Sequence, residues 1–343
     1  MEKLVSSWGN NVKALPHNYI FPPELRPGNN LKISFTTNIP VIDLSELENH
    51  HHRFQTIQKI IKASEEFGFF QVINHGVDIN LMKETRKVMK ELFEMGDEYK
   101  QKLYSEDPLK PCRLYTSRPT YATDDNLHLW RDSFIHPCHP LDQWQHLWPQ
   151  NPTKYREYVG ACSVEVKKLA SRMLRLISEG VGLECEYFEK GGLSGSMLVS
   201  LNHYPACPEP SLTLGVSKHS DPNLVTILLQ DYVSGLQVLH NGQWIAVEPL
   251  PDAFLVNVGF QLQIISNGRL QCCDHRVVTN SSDARTTAAF FVAPLDDSFI
   301  EPAQAFIDEY HPPLFKSFKY KDFRSYYIAE KGDTEVVMES FLA

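Results

Sequence analysis

Between Met197 and Pro294 the chain breaks into short runs of alternating apolar and polar residues. They fall at 197–204, 218–230, 235–239, 243–248, 253–258, 262–266, 272–279 and 285–293, separated by Gly, Pro, Asn or Asp. Successive side chains of a strand point to opposite faces, so each run can bury one side. Their spacing leaves no room for crossover helices. It predicts a sandwich, barrel or jelly roll rather than a parallel sheet.

The flanking chain has a different texture. Residues 1–39 are rich in Pro, Asn and Gly and read as a surface lead-in, with a short helix around 5–11. Ile39 to Leu44 is a short apolar run ending at Ser45, a helix-capping residue. Helical spacing runs from Phe54 to Phe67 and stops at Gly68; a strand and turn come next at 69–76, then helices at 79–98 and 153–182. Residues 104–150 are irregular and aromatic, with a strand suggested over 128–136, and the tail carries an amphipathic stretch at 303–310 and a helix at 321–329. The expectation is one compound domain, mainly β with α. A helical N-terminal region, 1–195, packs on a β core at 196–300, and a helical tail occupies 301–343.

A chain of 343 residues can bury a large core, and its 42% hydrophobic and 22% charged residues are ordinary for a globular protein. The net charge of −9 argues against nucleic acid or an anionic membrane as a partner and leaves a small molecule as the substrate. Seven cysteines, an odd number, do not suggest a disulfide framework. No apolar stretch resembles a secretory leader or a membrane span. The expected setting is the cytoplasm, and the expected state a monomer.

Within the β region, His219-Ser220-Asp221 would place an imidazole and a carboxylate on one face of a strand. His275 is the best candidate for a third donor. Two histidines and one carboxylate leave the opposite side of an ion open, the arrangement associated with non-haem Fe(II) that activates oxygen. A lone buried histidine is usually a satisfied core residue, and His-x-Asp alone is a weak signal. The residues beyond His275 add weight. Asn280 to Asp283 read as a turn, so Arg285 starts the returning strand with Thr287 on its own face. A guanidinium is a planar fork for a carboxylate, and a neighbouring hydroxyl adds one more bond. Other histidines read as structural. Consecutive side chains diverge at His50-His51-His52, His75 lies in an Asn-His-Gly turn, and His136 with His139 lacks a third partner.

These residues resemble the plant Fe(II)/2-oxoglutarate-dependent dioxygenases. The resemblance extends over nearly the whole chain, through Ile39 to Leu44, Gly68 to Gly76, Asn202 to Pro208 and Asn257-Val258-Gly259. It implies a double-stranded β-helix (jelly-roll) core flanked by N-terminal and C-terminal helices. It implies iron held by His219, Asp221 and His275, and the distal carboxylate of 2-oxoglutarate held by Arg285 and Thr287. Tyr204 and Asn202 would serve the other end of that cosubstrate. The family usually has serine where this chain has Thr287, which keeps the hydroxyl and adds a methyl. Cys272-Cys273, unusual there, reads as buried, reduced and non-ligating.

The implied reaction consumes 2-oxoglutarate and O2, with ascorbate as a compatible reductant, and releases succinate and CO2. It would hydroxylate an unactivated C–H of a small specialised metabolite such as an alkaloid or a phenolic; desaturation, epoxidation and demethylation are lesser options. Tyr121, Trp130, Phe134, Phe260, Phe291 and Tyr326 are candidate pocket walls, with ordinary core packing as the competing reading for each. Three rivals stay open on the sequence alone. A zinc hydrolase could use the same ligands, an iron oxidase could work without 2-oxoglutarate, and a ligand-binding or sensor jelly roll would have no catalysis.

Overall fold

The computed structural model describes residues 4–28, 38–48, 50–118, 127–330 and 332–343. In chain order the strands that build its two larger sheets are β1 (Val41–Asp43), β2 (Phe69–Ile73), β3 (Arg113–Thr116), β4 (Asp132–His139), β5 (Ser196–Tyr204) and β6 (Val216–His219). They continue as β7 (Val225–Leu229), β8 (Leu236–His240), β9 (Gln243–Ala246), β10 (Phe254–Val258), β11 (His275–Val277) and β12 (Arg285–Ala293). The main sheet has eight strands in the order β1-β2-β10-β7-β12-β5-β4-β3, and the minor sheet has four, β6-β11-β8-β9. The set is sandwich-like and does not close into a barrel.

Alternation along the central strands of the main sheet separates two interiors. Val199 and Leu201, Val225, Ile227 and Leu229, Phe254 and Val256, and Ala288, Phe290 and Val292 face a core shared with the helices. The helices Ile79–Glu94 and Tyr155–Val181 close that face. Asp78 starts the first of them by accepting the amides of Asn80 and Leu81, and Gly182, at φ 83°, ends the second in the left-handed conformation. The alternate residues face the minor sheet. There Phe69, Tyr204, Leu228 and Leu255 meet Val216, Leu236, Val238 and Val277 in a second, smaller core. The functional cavity opens within that inter-sheet layer.

The structure departs from the sequence reading in several places. The run 218–230 is not one strand: β6 ends at His219, and β7 begins at Val225 in the other sheet, so Asp221 lies in the crossover. Pro222, which has no amide hydrogen, sits in that crossover. The run 262–266 belongs to a helix, Phe260–Ile265. Its alternating glutamines mislead because local backbone occupies both: Gln261 Nε2 donates to the Pro222 carbonyl, and Gln263 Oε1 accepts from the Cys272 amide. The strand suggested at 128–136 runs instead over 132–139, while β3 and a last helix, Thr334–Phe341, had no counterpart in the reading. β1 to β4 all arise before residue 196, so this region supplies four strands of the main sheet besides its helices. The stretch 303–310 forms only a single short turn, Gln304–Phe306.

Candidate active site

His219 and His275 are direct partners across the antiparallel β6–β11 pair, which brings their ring centres to 4.1 Å. Each turns its Nδ1 to a carbonyl two residues back, His219 to Ser217 at 2.9 Å and His275 to Cys273 at 3.3 Å. A carbonyl can only accept, so both Nδ1 atoms carry the proton and both Nε2 atoms keep a lone pair. The two Nε2 atoms lie 3.7 Å from the same atom, Asp221 Oδ1. Asp221 Oδ2 is engaged elsewhere, accepting from Thr226 Oγ1 at 2.6 Å and Asn257 Nδ2 at 2.7 Å.

Three acceptor atoms therefore converge, with all donor atoms within 4.8 Å of one another. Donors about 2.1 Å from one ion lie roughly 3–3.5 Å apart, so a small divalent cation fits between these after a slight closure. Among the described residues this is the one such cluster. Burial, then the neighbouring His275, push His219 down to about 4, which keeps its imidazole neutral and ready to ligate at neutral pH. Burial raises Asp221, but the positive charge the two histidines carry when protonated, with the bonds from Thr226 and Asn257, outweighs it and holds the carboxyl below its usual range.

The second group is assembled by register in the main sheet. Arg285 is paired with Tyr204 and Thr287 with Asn202 across β12 and β5. Residues at odd positions of β12 and even positions of β5 face the cavity, so all four line it together with the triad. The Arg285 guanidinium is held by the Val233 carbonyl at 3.1 Å and Gln230 Oε1 at 2.9 Å, and lies 5.3 Å from the Tyr204 ring centre. Two of its five donors are thus spent, and three remain for a ligand. The Asn202 amide oxygen accepts from Arg131 Nη1, Ser133 Oγ and Ser200 Oγ. Close backbone approach makes room for these groups: a Cβ on Gly215 would come within 2.5 Å of the Tyr204 ring.

Of the six aromatic residues expected to wall the pocket, Phe291 lines the cavity. Tyr121 falls outside the described residues. Trp130, Phe134, Phe260 and Tyr326 are elsewhere, and the expectation for them is corrected. Trp130 packs edge-on against Trp8 and Tyr19 and donates its indole N–H to the Pro205 carbonyl. Phe134 and Phe260 point into the helical core, and Tyr326 packs on Phe341 and accepts from Ser340. His136 is likewise occupied, with Nε2 against the Tyr155 hydroxyl and Nδ1 against the Pro137 carbonyl. All seven cysteines are free.

Four residues at the site were missed: Thr226, Asn257, Gln230 and Arg131. The first two had a visible signal. A hydroxyl in Val-Thr-Ile-Leu-Leu and an amide in Phe-Leu-Val-Asn-Val are polar groups inside buried strands, and such groups require a partner.

Known proteins share this architecture. Residues 195–294 match the 2OG-Fe(II) oxygenase superfamily, and residues 39–151 match the non-haem dioxygenase in morphine synthesis N-terminal family. Protein DOWNY MILDEW RESISTANCE 6 of Arabidopsis thaliana is 40% identical, over 99% of this chain and 98% of that protein. Hyoscyamine 6-dioxygenase of Hyoscyamus niger is also 40% identical, over 97% and 96%. The crystal structure of JOX2 in complex with 2OG, Fe and JA superposes with a TM-score of 0.86 at 34% identity, covering 97% of this chain and 95% of that one. Among the described residues, no helix is long and apolar enough to cross a membrane. With a fold, a donor set and near full-length relatives in agreement, the chain belongs to the 2OG-Fe(II) oxygenase superfamily, as an oxidoreductase that uses iron and 2-oxoglutarate.

Proposed function

We propose that this enzyme hydroxylates an unactivated C–H bond of a small plant specialised metabolite of the alkaloid, phenolic or similar class, releasing succinate and CO2. The observation that carries the reading is the convergence of His219 Nε2, His275 Nε2 and Asp221 Oδ1, three acceptors with no protein donor among them. These residues hold the iron. Arg285 and Thr287 take the distal carboxylate of 2-oxoglutarate, and Tyr204 with Asn202 serves its other end. Bound iron and 2-oxoglutarate together supply the oxidant that cleaves the C–H bond.

The chain's own contribution is geometric. The Ser217 and Cys273 carbonyls fix the tautomer and tilt of the two imidazoles, while Thr226 and Asn257 fix the carboxylate so that one oxygen faces the ion. Gln230 and the Val233 carbonyl hold Arg285 ready for a diacid. The relative named for hyoscyamine supports a small plant metabolite as substrate.

The test loads the purified protein anaerobically with Fe(II), 2-oxoglutarate and fractionated plant metabolites, then admits oxygen. Mass spectrometry should find a product heavier by one oxygen, formed in step with succinate. A product lighter by two hydrogens, or turnover without succinate, would contradict the proposal.

A further inference from the structure

Arg131 lies between Trp130 and Asp132, both fully buried on the opposite face of the chain, so alternation turns its side chain into the cavity beside Asn202 and the triad. Its Nε donates to Ser117 Oγ and its Nη1 to Asn202 Oδ1, each at 3.2 Å. Both acceptors are neutral. Ser117 and Asn202 are in turn bonded to Ser133, which braces the guanidinium in one orientation. Among the described residues, no carboxylate pairs with it.

Charge makes this arrangement informative. Asp221 is the only acidic side chain among the described residues lining the cavity, against two arginines. On the functional reading above, Asp221 serves the ion and Arg285 serves the cosubstrate. Arg131 then remains as a part-buried cation, pre-oriented, with donors to spare and no anion among the described residues. Its surroundings also include the apolar side chains of Phe69, Leu228, Leu255 and Phe291.

We propose that Arg131 is the specificity-determining residue of this site, and that it selects a partly apolar substrate carrying a carboxylate over a cationic amine. This rests on the proposed iron and 2-oxoglutarate roles, and it narrows the proposed substrate class to members that carry a carboxylate. Asp132 offers no counter-charge to an amine, because it is fully buried on the other face and engaged by the Val5 and Ser6 amides. A planar fork with free N–H groups matches a carboxylate in shape as well as charge.

The experiment measures binding calorimetrically, without oxygen, to protein loaded with Fe(II) and 2-oxoglutarate. The probes are cinnamate, cinnamamide and cinnamylamine, which keep one framework and change its charge. Cinnamate should bind about tenfold or more tighter than the amide, and the amine should bind weakest. Arg131→Gln should bring acid and amide to equal affinity, with Fe(II) and 2-oxoglutarate affinities shifted by less than about threefold. Arg131→Lys should restore part of the preference. No preference for the acid, or no binding by any probe, overturns the proposal. So does an Arg131→Gln loss that falls on 2-oxoglutarate, which would assign the residue to the cosubstrate. Failure of the unaltered protein to take up Fe(II) and 2-oxoglutarate would instead sink the functional reading beneath it.

Discussion

Asp132 and Asp221 are both buried carboxylates on the approaches to one sheet, and their surroundings differ in kind. Asp132 is saturated by its own chain: the Val5 and Ser6 amides and the Thr116 hydroxyl all donate to it, which pins the N-terminal helix Val5–Trp8 to β4. Burial nonetheless leaves its carboxyl above the usual range. Asp221 has one oxygen saturated by Thr226 and Asn257 and the other turned towards two imidazole lone pairs. Its carboxyl is held below the usual range. Burial alone therefore does not mark a functional acid. The mark is an acceptor left facing other acceptors, because only a cation or a proton resolves that arrangement.

The same substitution at both positions should separate these roles. Asp221→Asn removes the charge an ion needs and can turn amide hydrogens towards the two Nε2 atoms. Iron affinity should fall by roughly a thousandfold and turnover should vanish, while the metal-free protein keeps its unfolding free energy within about 1 kcal/mol. Metal titration and denaturant melts read the two quantities, and a destabilised protein that still binds iron would break the contrast. Asp132→Asn should do the reverse. It sets amide hydrogens against amide donors and should cost roughly 2–3 kcal/mol of stability, with iron affinity unchanged. Loss of iron with no loss of stability would reverse the assignment. The smallest effect is expected from Thr226→Val, which frees Asp221 Oδ2 on one side. Iron binding should weaken about tenfold, and an unchanged affinity would show that Asn257 alone orients the carboxylate.

Strand content was legible because alternation is local. The runs containing β5, β8, β9, β10, β11 and β12 could be read from single stretches, and Arg285 and Thr287 share a face because they lie on one strand. Register was not legible. That Arg285 sits opposite Tyr204, or His219 opposite His275, depends on pairing between distant segments and has no signature in either one. The His-x-Asp spacing suggested convergence through a two-residue period, yet Asp221 lies beyond the end of β6, and the geometry comes from a cross-strand histidine pair plus a crossover between sheets. Aromatic residues were the least readable. Trp130 and Phe291 have the same chemistry in sequence, and only packing places one under the N-terminal segment and the other in the cavity.

The most direct test is anomalous X-ray diffraction from crystals grown with Mn(II), as an oxygen-inert stand-in for iron, and 2-oxoglutarate. The account predicts one strong anomalous peak about 2.1 Å from His219 Nε2, His275 Nε2 and Asp221 Oδ1, with a carboxylate of the cosubstrate on Arg285. A peak elsewhere, or a diacid bound away from Arg285, would contradict it.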